Sequence, residues 1–260
     1  MNQHKISFIG AGRLAGVLCR EMHKAGLKID LIVSESKERG YALAGHCNAR
    51  WSDKLSFPDS DGVIIVAVPD NRLKEILSRL ECGRQTLVAH TAGSIGLDVF
   101  PSNIIRRGVF YPLQTFSHNR KIIFKGLPVF IEASDNHSTQ LLGDLADSLG
   151  VNKYFALTEH RIMLHLAAVF VCNFTNHMLT QGKVLAQRSG FSFEELKPLI
   201  IETFMKALED GPENSQTGPA VRNDINTIEK HIELLSFDPE LQKIYGELSR
   251  LIYNHHLRLR

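Results

Sequence analysis

The stretch Lys5-Ile6-Ser7-Phe8-Ile9-Gly10-Ala11-Gly12-Arg13-Leu14-Ala15 predicts a strand that runs through a glycine turn into a helix. Gly10 suits the tight turn, Gly12 lets the backbone approach a pyrophosphate, and Ala15 lets the helix pack closely on the strand. The helix N-terminus would offer free N–H groups and a partial positive charge to an anion. An amphipathic run and a second apolar strand, Ile29-Asp30-Leu31-Ile32-Val33, follow the turn. This context favours a dinucleotide-binding turn over an ordinary strand–helix connection.

The composition is that of a soluble globular protein. Of the 260 residues, 43% are hydrophobic and 22% are charged, and this length favours two domains. The net charge of +2 gives no reason to expect nucleic acid or an anionic membrane as a partner. No uninterrupted apolar run reaches membrane-spanning length, and the N-terminus lacks the apolar region of a signal peptide. We therefore expect a cytoplasmic protein.

The four cysteines, Cys19, Cys47, Cys82 and Cys172, are scattered along the chain. They form no C-x-x-C pair and have no histidine cluster beside them, so the sequence predicts reduced, buried thiols and no metal site.

Hydrophobic periodicity divides the chain into two parts. Over residues 1–157, apolar strands near 62–70, 86–90, 109–111, 128–131 and 153–155 alternate with helical patterns. This alternation predicts an α/β domain with a doubly wound, parallel, Rossmann-like sheet. Over residues 158–260 the period changes to between three and four. We expect helices at 158–189, 192–209, 219–235 and 239–253, the first buried on most sides, in an all-helical C-terminal domain.

Ligands of open α/β sheets bind outside the carboxyl ends of the strands, where this chain becomes small or polar. The residues predicted to bind the cofactor there are Gly10, Ala11, Gly12, Arg13, Leu14, Ala15, Ser34, Glu35, Ser36, Lys37, Val68, Pro69, Thr91, Ala92 and Gly93.

The end of the second strand should distinguish NAD from NADP, because an acid there binds a ribose hydroxyl and basic or hydroxyl groups bind a 2′-phosphate. Glu35 favours NAD. The residues that favour NADP are Arg13, Ser34, Ser36, Lys37 and Arg39. We predict NADP, with NAD left open as the alternative.

Four segments resemble a family of NAD(P)-dependent reductases in which a C-terminal helical domain of unknown function follows a Rossmann-like domain. They are His-Thr-Ala-Gly-Ser at 90–94, Tyr-Pro-Leu-Gln-Thr-Phe at 111–116, Leu-His-Leu-Ala-Ala-Val-Phe at 164–170 with Asn173, and Gln-Thr-Gly-Pro-Ala-Val-Arg-Asn-Asp at 216–224 followed by His231. The family is similar to pyrroline-5-carboxylate reductases, ketopantoate reductases and β-hydroxyacid dehydrogenases. The resemblance implies nicotinamide binding and a helical dimerisation domain, and hence a homodimer.

Three positions depart from the family pattern. Tyr111 stands where many members have His, Asn223 where Gly is common, and Glu35 where an Arg often follows the serine of the second strand.

Hydride reduction needs a group that gives a proton to the developing alkoxide or amine. In the related dehydrogenases this group is a Lys on the long helix, with an Asn one turn later. Here His165 and Asn173 lie eight residues apart on roughly one helical face, and His177 extends the stripe. We predict His165 as the proton donor or its orienter and Asn173 as the ligand of the substrate oxygen. Alternatively, His165 is a hydrogen-bonded core histidine and Asn173 caps a loop.

A second candidate is the Thr-Gly-Pro turn at 217–219, which we expect to feed a helix with free N–H groups. Arg222 could hold a substrate carboxylate with both of its terminal nitrogens, or could instead pair with Asp224 or hold a dimer. The residues predicted to contact substrate are Ser94, Tyr111, Gln114, Thr217 and Asp224.

These features predict an NAD(P)-dependent oxidoreductase that reduces a C=O or C=N bond of a small, carboxylate-bearing metabolite, for example a 2-oxo acid such as ketopantoate. The alternatives are a non-catalytic NAD(P)-binding sensor and a dimeric scaffold that no longer binds nucleotide.

Overall fold

The computed structural model describes residues 5–57, 62–117 and 120–259. The chain divides into two compact units, Met1–His177 and Met178–Arg260. This division falls inside a long helical segment, and the domain boundary expected at 157/158 stays a prediction.

The first unit is an α/β unit. Its strands are β1 (Ile6–Ile9), β2 (Ile29–Val33), β3 (Arg50–Ser52), β4 (Ser56–Phe57), β5 (Val63–Val66), β6 (Glu81–Cys82), β7 (Leu87–His90), β8 (Arg106–Pro112), β9 (Pro128–Ala133) and β10 (Asn152–Phe155). Its helices are α1 (Arg13–Lys24), α2 (Lys37–His46), α3 (Asp70–Arg79), α4 (Asn136–Leu149) and α5 (Thr158–Ala168), with a 3-10 turn at Leu97–Val99.

Eight of these strands form one sheet in the order β10-β9-β8-β7-β5-β1-β2-β3. All neighbouring pairs are parallel except β8 and β9. The Rossmann-like sheet is therefore confirmed, with one antiparallel pair that the sequence did not predict. Parallel pairs need a crossover connection, usually a helix, and the described residues between β8 and β9 contain none. A small parallel pair, β4 and β6, stands apart.

The core lies on both faces of the sheet. Ile65 packs on the face that α1 and α4 cover, with Leu18 and Leu142, whereas Ile64 packs on the opposite face with Leu73 and Leu77 of α3. This burial on both faces explains the continuous apolar run in β5. Because β2 and β5 flank β1 and lead to opposite halves of the sheet, a crevice lies at the carboxyl end of β1.

A single helical segment runs through α5, a π-helical stretch at Val169–Phe174, and α6 (Thr175–Arg188). The predicted long helix is thus confirmed, but its predicted burial is wrong. Leu166, Phe170 and Val171 are 46%, 59% and 67% exposed. The residues that the structure describes therefore leave these apolar side chains uncovered.

By length and composition alone, this segment could also cross a membrane, although no uninterrupted apolar run in the sequence has that length. Thr158–Arg188 is 31 residues long and has a mean hydropathy of 1.4 in its most apolar window. The core helices of soluble proteins pass the same test of length and composition.

The second unit is helical. After the end of α6 and a 3-10 turn at Glu194–Leu196 come α7 (Lys197–Asp210), α8 (Pro212–Ser215), α9 (Ile225–Leu234) and α10 (Pro239–Leu259). The predicted helix start at Pro219 is wrong, because the chain turns before α9 through left-handed residues, Gly218 (φ 111°) and Asn223 (φ 55°). Asp224 then caps α9 by accepting a hydrogen bond from the Thr227 N–H at 3.2 Å.

Candidate functional site

The glycine turn after β1 has the geometry of an anion cradle. Gly10 has φ +109°, and a Cβ there would lie 2.3 Å from the carbonyl oxygen of Ala67, so only glycine fits. Gly12 precedes α1 without a side-chain cap, and a Cβ on it would meet no atom within 4 Å. Ala15 is fully buried against the sheet, as close packing requires. This uncapped helix start and the space beside it fit the pyrophosphate of a dinucleotide.

A cavity of about 300 Å³ opens beside the glycine turn, between the ends of β2 and β5. Eight predicted cofactor residues line it: Gly10, Ala11, Gly12, Ser34, Glu35, Ser36, Val68 and Pro69. Arg39, Asp53, Arg72 and Arg79 also line it. Sequence reasoning missed Arg72 and Arg79, although the position of α3 directly after β5 could have drawn attention to its polar face. The other predicted residue at this end, Lys37, instead has its Nζ 6.0 Å from the Trp51 ring centre.

The polar groups at the end of β2 already have partners. Ser34 Oγ donates to the carbonyl oxygen of Ser36 at 2.9 Å and accepts from Trp51 Nε1 at 3.1 Å. Glu35, which favoured NAD, forms an ion pair of 2.6 Å with Arg72. This pairing offsets the charge that would repel a 2′-phosphate.

A second cavity, of about 470 Å³, lies between α1 and α2 and shares Ala11, Gly12 and Arg39 with the first. Arg13, Arg20 and His46 supply the other basic side chains of its lining. Both cavities therefore place cationic groups around the glycine turn, as a phosphorylated dinucleotide requires.

The loop after β7 lies on the other side of β1 from the end of β2. Here Thr91, Ala92 and Gly93 are buried and Ser94 is exposed. Ser94 Oγ donates to the Asp70 carboxylate at 2.8 Å, which joins this loop to the start of α3. Dinucleotides bind across the crevice of such sheets, so a cofactor whose adenosine lies at the end of β2 would place its nicotinamide beside this loop.

Tyr111 and His165 meet directly at this loop. The Tyr111 hydroxyl lies 3.0 Å from His165 Nδ1, and a Cβ on Gly93 would come within 2.6 Å of the tyrosine ring and 2.7 Å of that nitrogen. Burial, with a smaller effect of the Asp70 carboxylate, raises the pKa of Tyr111, so the hydroxyl keeps its proton at neutral pH. Two predicted site residues thus form one hydrogen-bonded pair that can hold and move a proton.

Other predicted residues are not brought to this pair by the described contacts. Asn173 lies in the π-helical stretch with an exposed side chain, and no hydrogen bond in the described residues joins it to Tyr111 or His165. Gln114 turns back on its own loop, where its Oε1 accepts from the Thr115 N–H at 2.8 Å.

The remaining candidates belong to the second unit. Thr217 and Arg222 are exposed, and Asp224 is the N-cap of α9. Hydrogen bonds from Thr227 lower the pKa of Asp224, and the described residues show no ion pair between Arg222 and Asp224. The helix expected directly after Thr217 is not there, because α9 begins only at Ile225 and is capped by Asp224.

Comparison with known proteins agrees with this architecture. Residues 5–93 match a family model described as "NADP oxidoreductase coenzyme F420-dependent", and residues 127–252 match a domain of unknown function, DUF2520. The structure of the putative NADP oxidoreductase BF3122 from Bacteroides fragilis is 38% identical, with a TM-score of 0.88 over 97% of this chain and 98% of that one. The chain belongs to this family of NADP oxidoreductases. No curated protein matches it in sequence.

Two more distant structures share the fold. Protein TM1727 from Thermotoga maritima is 24% identical, with a TM-score of 0.70 over 98% of this chain and 99% of that one. An imine reductase from Myxococcus stipitatus in complex with NADP+ is 15% identical, with a TM-score of 0.66 over 96% and 92%. Membership of the family confirms the predicted Rossmann-like reductase, the oxidoreductase class and NADP as cofactor.

Proposed function

We propose that the protein reduces a C=O or C=N bond of a small, carboxylate-bearing metabolite, with a 2-oxo acid such as ketopantoate as one candidate. The single observation that carries this proposal is the 3.0 Å contact of Tyr111 with His165, beside the loop that follows β7. Bound NADPH would supply the hydride. The protein must then supply one proton to the oxygen or nitrogen that gains negative charge.

In this proposal the Tyr111 hydroxyl gives its proton to the substrate, and His165 returns a proton to Tyr111 through Nδ1. A proton from solvent then returns His165 to its starting state. One hydride and one proton are consumed in each turnover, and the C=O or C=N bond becomes an alcohol or amine. Arg222 stays the candidate for the substrate carboxylate, because its exposed guanidinium can form two parallel hydrogen bonds. Asn173 stays the candidate for the substrate oxygen.

The test is NADPH oxidation, followed by absorbance, with a panel of 2-oxo acids and imines. We expect turnover of at least one compound, and a loss of about 10²-fold to 10⁴-fold in Tyr111→Phe and His165→Ala while NADPH binding is kept. Tyr41→Phe and His23→Ala, which alter residues outside the pair, are the matched controls. Tight NADPH binding without turnover would support a sensor, and no thermal shift with NADPH or NADH would support a scaffold.

We further propose that the protein is a homodimer, in which a second copy covers the apolar surface of the helical region. Met163, Leu166 and Phe170, which lie on one helical segment, are 46% to 64% exposed, and exposed apolar patches of this kind are typical of interfaces. A lipid bilayer fits this apolar helix surface less well than a second copy of the chain does. The first turn of α5 is fixed to the sheet unit through Arg161, which is fully buried, and a bilayer span cannot satisfy such a contact.

A further inference from the structure

Arg161 on α5 is fully buried and binds the loop after β7. Its Nη1 donates to three carbonyl oxygens, those of Ala92 at 3.3 Å, Gly93 at 2.9 Å and Ile95 at 2.7 Å. Its Nη2 forms an ion pair of 2.6 Å with Glu132 on β9. One guanidinium therefore ties the backbone of 92–95 to the far strands of the sheet.

The same loop is held from its inner side by His90. The Ala92 N–H donates to His90 Nδ1 at 3.2 Å, so Nε2 carries the ring proton and faces the carbonyl oxygen of Gly96 at 3.5 Å. Gly93, between these two supports, packs against Tyr111 and His165 with no room for a Cβ. A shift of the loop would therefore move it against the Tyr111–His165 pair.

Stability alone does not account for this arrangement. A buried ion pair recovers its desolvation cost only when the geometry is excellent and all its polar atoms are bonded. Arg161 Nε is buried and has no hydrogen-bond partner among the described residues. An apolar side chain would fill the position without that cost. What only the guanidinium can do here is donate hydrogen bonds to the loop carbonyls.

We propose that Arg161 is a positioning residue that holds the backbone of 92–95 against Tyr111 and His165, in the conformation that receives the nicotinamide half of the cofactor. The inference rests on the proposed function only in taking NADPH as the cofactor. Arg161 itself is enclosed by the loop, Thr158 and Glu132, and acts through the carbonyl groups that it fixes.

The test compares two ligands that differ in the nicotinamide half. NADPH carries it, whereas 2′,5′-ADP has only the adenosine half, which we expect to bind near the end of β2. Arg161→Lys keeps a charge for Glu132 but loses the planar fork that reaches three carbonyls. We expect the Kd for NADPH to rise about tenfold, as loss of charge-assisted hydrogen bonds would predict, while the Kd for 2′,5′-ADP changes less than about twofold. The fluorescence enhancement of bound NADPH should fall in parallel.

Leu145→Ala is the matched control, because it creates a cavity in the core on α4 and leaves the loop untouched. It should lower the melting temperature and keep the ratio of the two Kd values. If Arg161→Lys does not fold, Glu132→Gln, which keeps the shape of the partner, tests the same ratio of Kd values. We expect a smaller rise in the Kd for NADPH and no change in the Kd for 2′,5′-ADP. Equal weakening of both ligands, or no change in either, would overturn the proposal. If the wild-type protein binds 2′,5′-ADP and not NADPH, or neither ligand, the proposed function itself fails.

Discussion

Tyr111 at the end of β8 and His165 on α5 are 54 residues apart in sequence, yet their hydroxyl and Nδ1 are 3.0 Å apart. Their rings meet edge to face, with centres separated by 5.9 Å. The hydrogen bond joins a residue predicted to contact substrate to a residue predicted to donate the proton. It also places both beside Gly93, so the chemistry of the proposed site depends on the loop that follows β7.

The first prediction concerns pH and uses His90, the last residue of β7 before that loop. Burial, aided by the Arg161 charge, lowers the pKa of His90 to about 4. In the unfolded chain His90 therefore binds a proton as the pH falls through about 6.5, whereas in the folded chain it does so only near pH 4. The free energy of unfolding falls as the pH drops through this window. We expect this residue to account for a loss of about 2 kcal/mol between pH 7 and pH 4.5, from the difference in pKa.

Urea unfolding at both pH values measures this loss. His90→Gln can keep hydrogen bonds to Ala92 and Gly96 and cannot titrate, so its stability should fall less over the same window. His160→Gln, at an exposed histidine, is the control and should behave like the wild type. An equal loss of unfolding free energy between the two pH values in His90→Gln and the wild type would contradict the prediction.

The second prediction compares two glycines. Gly10→Ala puts a Cβ 2.3 Å from the Ala67 carbonyl oxygen at φ +109°, so we expect a loss of several kcal/mol in stability and of NADPH binding. Gly45 lies in α2 with nothing within 4 Å of an added Cβ. Gly45→Ala should therefore raise stability by about 0.5 to 1 kcal/mol. Thermal unfolding and NADPH titration measure both, and equal effects of the two substitutions would count against the cradle.

The third prediction concerns the choice of NADP. Arg39 lines both cavities at the glycine turn, so Arg39→Ala should weaken NADPH binding about tenfold and NADH binding much less. Glu35→Gln should act in the opposite direction, because it frees Arg72 and removes a carboxylate from the same cavity. Titration with both nucleotides gives the ratio of affinities. Lys24→Ala, at an exposed residue at the other end of α1, is the control.

Much of this fold could be predicted from the sequence, because its signals are local. The apolar run before Gly10 and the change of period near Thr158 each follow from the residues of one segment. Arg161 shows where this approach fails: it stands in a polar first turn, Thr-Glu-His-Arg, and such residues are usually solvated. Its burial depends on Glu132 and the loop carbonyls, which only the tertiary fold brings near.

The sequence places the start of α9 too early because Pro219 is a common first helical residue, whereas Asp224 provides the actual cap.

The fourth prediction separates the two roles of Asp224. As a helix cap it is replaceable by Asn, which caps equally well, whereas Ala should cost about 1 kcal/mol. If Asp224 only caps α9, Asp224→Asn should keep both stability and turnover. Chemical unfolding and the NADPH oxidation assay give the two readings. Loss of turnover in a stable Asp224→Asn variant would instead support the predicted contact with substrate.

The fifth prediction concerns the cover of the apolar helical region. We expect light scattering to give twice the chain mass of 29.2 kDa, because the apolar side chains of Leu166 and Phe170 would lie between two copies. A double substitution of both residues by Glu should give a monomer, since each buried carboxylate would lack a partner. Ile123→Glu, at a side chain that is 80% exposed between β8 and β9, is the control and should leave the mass unchanged.

Sedimentation of the wild-type protein with lipid vesicles tests whether a membrane, and not a second copy, covers this apolar surface. If the wild type is a monomer that binds vesicles, and the double variant no longer binds them, the homodimer is wrong and the helix meets a membrane instead.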